Sequence, residues 1–119
     1  MSEAKIAIFL GSSKKNLKAF PKKVRSNIGH ELHQAQTGLM PLSAKPLKGY
    51  GSTGVLEIIE NFHGDTYRAV YTVKFLKCVY VLHCFQKKSK QGIATPLKEI
   101  ELIKQRLKTA AEHYRSHYE

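Results

Sequence analysis

The chain is 119 residues long, with 24% charged residues and a formal net charge of +11; this predicts one domain, 1–119, with a single core and a polyanionic partner, nucleic acid foremost. No apolar run approaches the ~20 residues of a membrane span, which excludes a helical membrane protein. No long apolar segment follows Met1-Ser2-Glu3-Ala4-Lys5, so the expected location is the cytoplasm, with no signal peptide and no membrane partner.

Lys5–Leu10 reads as a first strand, ended by Gly11. Ser12 or Ser13 suits the start of a short helix running to about Phe20, and Pro21 suits the first turn of a second. There Val24, Ile28, Leu32 and Ala35 recur at helical spacing until Gly38. The two make a helical hairpin over 12–37, whose outer faces carry Lys14, Lys15, Lys18, Lys22, Lys23 and Arg25. Leu39–Gly54, with Pro41, Pro46, Gly49 and Gly51, reads as a loop containing Lys45 and Lys48.

A strand meander follows over 55–86. Val55–Phe62 and Thr66–Val73 are strands joined by a two-residue His63-Gly64 turn. A turn at Phe75-Leu76 leads to Cys78–Gln86, which is apolar on both faces and so interior to the sheet. Cys78 and Cys84 in that strand lie about 20 Å apart, beyond the roughly 7 Å that a disulfide spans, and are expected as buried thiols. Residues 74–90 carry Lys74, Lys77, Lys87, Lys88 and Lys90 with no acid. Thr95 as N-cap and Pro96 at the first helical position open a helix over 95–114. Its inward stripe is Leu97, Ile100, Ile103, Leu107, Ala110 and Tyr114. The expected class is α+β, in the order β-α-α-β-β-β-α, an antiparallel sheet meander packed against helices.

No metal motif is present: His30 and His33 have helical spacing but no evident third ligand. Gly49–Gly54 lacks the lysine of a phosphate loop and leads into a strand. With the turns as drawn, residue 68 faces both 59 and 83, which places Arg68, His83 and Lys87 on one sheet face beside Lys88 and Lys90. A guanidinium, an imidazole and ammonium groups suit metal-free RNA cleavage, which needs proton acceptor, proton donor and cations around the phosphorane. Each has a plainer alternative: Arg68 as an anchor without catalysis, His83 as a ring packed with Val79, Val81 and Phe85, the lysines as a solvated turn. Arg68→Ala and Lys87→Ala are expected to cost little stability.

Phe85-Gln86-Lys87-Lys88, followed by Ala94-Thr95-Pro96 and Glu99-Ile100, resembles the phage-derived, HigB-like branch of the RelE/ParE toxin superfamily. Pro46-Leu47-Lys48-Gly49, Val55-Leu56-Glu57 and Asp65-Thr66-Tyr67-Arg68 support it in the same order. The resemblance implies a RelE-like domain and the toxin of a type II toxin–antitoxin pair. Such a toxin cleaves mRNA on the ribosome, needs no cofactor, and has a helix-turn-helix antitoxin as partner. It implies Arg68 as the phosphate-binding arginine, Lys87 and Lys88 as the basic residues after the last strand, and Lys48 as a basic loop residue. With His83, these make the candidate catalytic set Arg68, Lys87, Lys88 and His83; Lys48, Lys90, Lys22 and Lys23 are the candidate RNA-binding residues. The chain departs from its relatives at Ile59, where many carry an arginine, and at Glu57, on a strand that in many carries lysines. Two other readings stay open: a ParE-like toxin that binds DNA gyrase without catalysis, and a basic RNA-binding protein of phage origin.

Overall fold

The structure, a computed structural model, describes residues 4–47, 54–87 and 95–119. The elements are β1 (Ile6–Phe9), α1 (Ser13–Lys18), α2 (Lys22–Gln36), β2 (Ala44–Pro46), β3 (Val55–Phe62), β4 (Asp65–Thr72), β5 (Cys78–Lys87) and α3 (Leu97–Tyr118). One strand exceeds the expected order. Within the segment read as a loop, Ala44–Pro46 pairs antiparallel with Leu56–Ile58. Pro46 lacks the N–H that a further neighbour would need, so this short strand sits at the sheet edge.

The sheet runs β1-β5-β4-β3-β2. Its centre is the expected antiparallel meander; β1 lies parallel beside β5, and α1 and α2 carry the chain from that edge to β2 at the other. At the β3–β4 turn, His63 (φ 52°) and Gly64 (φ 85°) are both left-handed, as a two-residue primed turn requires. Ile59 therefore faces Arg68, as expected.

The β4–β5 register departs twice. Beyond the 73–77 connection Thr72 faces Tyr80 and Tyr71 faces Val81, one residue away from the expected pairing. A bulge then leaves Leu82 unmatched, Val70 faces His83, and Arg68 faces Phe85 instead of His83. Side chains alternate with period two, so the two single-residue steps cancel for the end of the strand. Arg68, His83 and Lys87 still share a face. Val79 and Val81 do not join them: they pack on the opposite face with Tyr71 and Cys84.

Helices cover both faces. On one, Leu17 of α1 and Val24, Ile28 and Leu32 of α2 pack with Ile58, Ala69, Tyr71, Val79 and Val81. On the other, Ile100, Ile103, Ala110 and Tyr114 of α3 pack with Val55, Val70, Tyr80, Leu82 and Phe85. The expected inward stripe of α3 thus holds from Ile100 onward, while Leu97 is 73% exposed. Among the described residues, no helix is long and apolar enough to cross a membrane.

Candidate functional site

Arg68 sits in the middle of β4 on the face covered by α3 and is only 2% exposed. A guanidinium so deeply buried needs an opposite charge. Glu57 supplies it from β3, one row along on the same face, and Arg68 Nη1 donates to Glu57 Oε1 at 3.0 Å. Thr95, expected to cap α3, lies instead against this pair. Its hydroxyl donates to Glu57 Oε1 at 3.3 Å and accepts from Arg68 Nη1 at 3.4 Å. The helix begins at Leu97, with Pro96 in the capping position. Arg68→Ala would take the guanidinium from the buried Glu57 carboxylate, which argues against the expectation that this substitution costs little stability.

His83 occupies β5 on the same face, 5% exposed, its ring stacked on Phe85 with centroids 4.9 Å apart. Both nitrogens are engaged from α3. Nε2 lies 2.8 Å from Glu99 Oε1, and Nδ1 lies 3.3 Å from Arg106 Nη1. Burial holds the ring's pKa below its ordinary value; the Glu99 bond and charge pull the other way, and the Arg106 charge lowers it further. Arg106 also donates to the Leu82 carbonyl at 2.9 Å and to Ser12 Oγ at 3.3 Å. The plainer alternative for His83 is corrected in its neighbours: the bulge at Leu82 leaves Phe85 beside the ring and sends Val79 and Val81 away.

Lys87 ends β5, half-buried, opposite Thr66. Lys48, Lys88 and Lys90 lie outside the described residues. Lys22 and Lys23 are exposed in the first turn of α2, which packs on the other face of the sheet from Arg68. The fold therefore gathers Arg68, His83 and Lys87 and separates Lys22 and Lys23 from them. Among the described residues, no group of three or more His, Cys, Asp or Glu is placed to hold a metal ion. Burial pushes the Cys84 thiol up to about 12, so it stays protonated at neutral pH.

Three residues of this site escaped the sequence reading. Glu57 was legible only as a departure from relatives, although the β3–β4 register already placed it diagonal to Arg68. Glu99 was legible only as part of a motif. Arg106 lies on the inward side of α3 beside an apolar stripe, and no local pattern marks it.

Residues 15–108 match the family described as Phage derived protein Gp49-like (DUF891). The chain belongs to this family. The phage origin of this family agrees with the phage-derived branch that the motifs resemble. No curated protein sequence matches the chain. A similar solved structure is the crystal structure of the toxin–antitoxin complex RelBE2 from Mycobacterium tuberculosis. It shares 16% identity at a TM-score of 0.45, over 75% of this chain and 98% of that one.

Proposed function

We propose that this Gp49-like protein is the toxin of a type II toxin–antitoxin pair and cleaves mRNA on the ribosome, in the cytoplasm, without a metal or cofactor. The observation that carries this reading is the grouping of Arg68, His83 and Lys87 on one sheet face, with Arg68 held in place by Glu57 and Thr95. A guanidinium held at one place on the sheet can exchange its carboxylate for a phosphate, and its charge then offsets the charge that develops in the reaction. The scissile phosphate displaces Glu57 from Arg68. The freed carboxylate accepts the proton of the 2′-hydroxyl as the bond from that oxygen to phosphorus forms. The bond to the 5′-oxygen breaks, and that oxygen takes a proton from the protonated His83. Lys87 offsets the negative charge of the phosphorane, and Lys88, next in the sequence, is a further candidate for that role.

Lys48 and Lys90 are further candidates for binding RNA. Lys22 and Lys23, on the far face, bind RNA beyond the cleaved strand. The antitoxin, a helix-turn-helix protein with an acidic segment, docks on the cationic face and excludes RNA.

A second reading has its own support. Ile59 stands opposite Arg68 where relatives place a cation, which favours a ParE-like toxin that binds DNA gyrase without cleavage. Inducing the protein and mapping new 5′ ends in mRNA separates the two. New ends that vanish in a folded Arg68→Lys variant support the nuclease. Intact mRNA together with blocked gyrase sinks it. DNA should be spared, because it lacks the attacking 2′-hydroxyl.

A further inference from the structure

A guanidinium carries only donors, so the contact between Arg106 Nη1 and His83 Nδ1 has one polarity: Arg106 donates and the ring accepts. The single proton of the neutral ring is then on Nε2, where Glu99 Oε1 accepts it at 2.8 Å. A second proton has one place to go, Nδ1, where it would meet the Arg106 N–H.

Arg106 is itself anchored. Nη1 also reaches the Leu82 carbonyl, and Nη2 reaches Ser12 Oγ. Its guanidinium lies against Gly11, whose φ is +54°, and a Cβ added there would stand 2.7 Å from the guanidinium carbon. Among the described residues, the other strand charges on this face are Lys45 on β2, Glu57 on β3, Arg68 on β4 and Lys87 on β5. Glu57 and Arg68 offset each other at 3.0 Å, and among the described residues the charged groups in contact with the ring are Glu99 and Arg106, both from α3.

We propose that Arg106 is a positioning residue acting through His83: it fixes the neutral ring with its proton on Nε2 and withholds a further positive charge from the face of Arg68 and Lys87 until the ring is protonated on Nδ1. The effect on cleavage rests on the nuclease reading; the effect on the ring does not. On the nuclease reading, Arg106 thereby influences the pH at which His83 can serve as proton donor.

The test is nitrogen-15 NMR of the histidine rings across pH, in the full chain and in Arg106→Met and Arg106→Gln, with folding followed by circular dichroism. In the native chain His83 should hold the Nε2–H tautomer at neutral pH and titrate below its ordinary 6.5. Arg106→Met should mix the tautomers and move the titration upward. Arg106→Gln keeps a donor but drops the charge, so it should retain the tautomer and still titrate higher. In parallel, the limb of the RNA-cleavage pH profile that His83→Gln abolishes should move upward with the ring. A folded Arg106→Met with native tautomer and midpoint overturns the proposal. If Arg106→Met does not fold, an unmoved midpoint in Arg106→Gln overturns it. A ring that responds as expected in a protein that cleaves no RNA at any pH supports the positioning role and removes the nuclease reading.

Discussion

The two faces of this sheet are built from the same strands and differ in kind. On the α2 side, Ile58, Ala69, Tyr71, Val79 and Val81 meet Val24, Ile28 and Leu32. On the α3 side, the alternate residues bury Glu57, Arg68, Thr72 and His83 among Val55, Val70, Leu82 and Ile103. Fully burying an aliphatic side chain stabilises by about 1.5–3 kcal/mol, whereas a buried ion pair does little better than offset its own desolvation. Both faces bury an apolar cluster, and the α2 face is the more uniformly apolar of the two. The α3 face gives up part of that stability to keep charged groups in fixed positions, which is where a reaction on an anion is best placed.

The comparison breaks most sharply at the buried pair. Glu57→Ala leaves Arg68 without its carboxylate and should cost about 3–5 kcal/mol in urea unfolding. Glu57→Met combined with Arg68→Met removes both charges and should recover most of that loss. A double variant as unstable as the single one would show that the pair itself holds the fold. On the α2 face, Ile58→Ala opens a cavity and should cost about 2–5 kcal/mol, with RNA affinity unchanged once the variant is folded. A matching loss of affinity would join the two faces functionally.

Lys22→Ala with Lys23→Ala should leave stability alone. Binding to single-stranded RNA should lose about 0.7 of salt slope for each phosphate contact removed. An unchanged slope would take the hairpin out of the RNA footprint.

The smallest effect belongs to His83. Its folded pKa is lowered from 6.5, so the unfolded chain takes up this proton first as pH falls. The group's contribution is therefore level above that window, declines as pH descends through it, and levels off once the folded ring is also protonated. Urea midpoints at about pH 7.5 and about pH 5 should differ less in His83→Gln than in the native chain.

Much of this fold is written in local patterns. The stripe of α3 from Ile100 to Tyr114, the Gly38 stop of α2 and the His63-Gly64 hairpin all follow from spacing and backbone preference within a few residues. The hairpin also placed Ile59 opposite Arg68, because a two-residue turn sets its own register. The edge strand Ala44–Pro46 escaped because its pairing partner, not its composition, makes it a strand. The face of Val79 and Val81 escaped because a bulge at Leu82 is settled by how β5 packs between two helices. A one-residue step inverts every side chain that follows, and nothing nearby in the sequence records it. The candidate site divides the same way. Arg68, His83 and Lys87 were legible as basic residues on one strand pair, and Glu57 through the hairpin register, whereas Thr95, Glu99 and Arg106 met Arg68 and His83 only when α3 and the residues before it closed over the sheet. Burial of charge forces such partnerships, and only the tertiary structure decides which distant residues meet the demand.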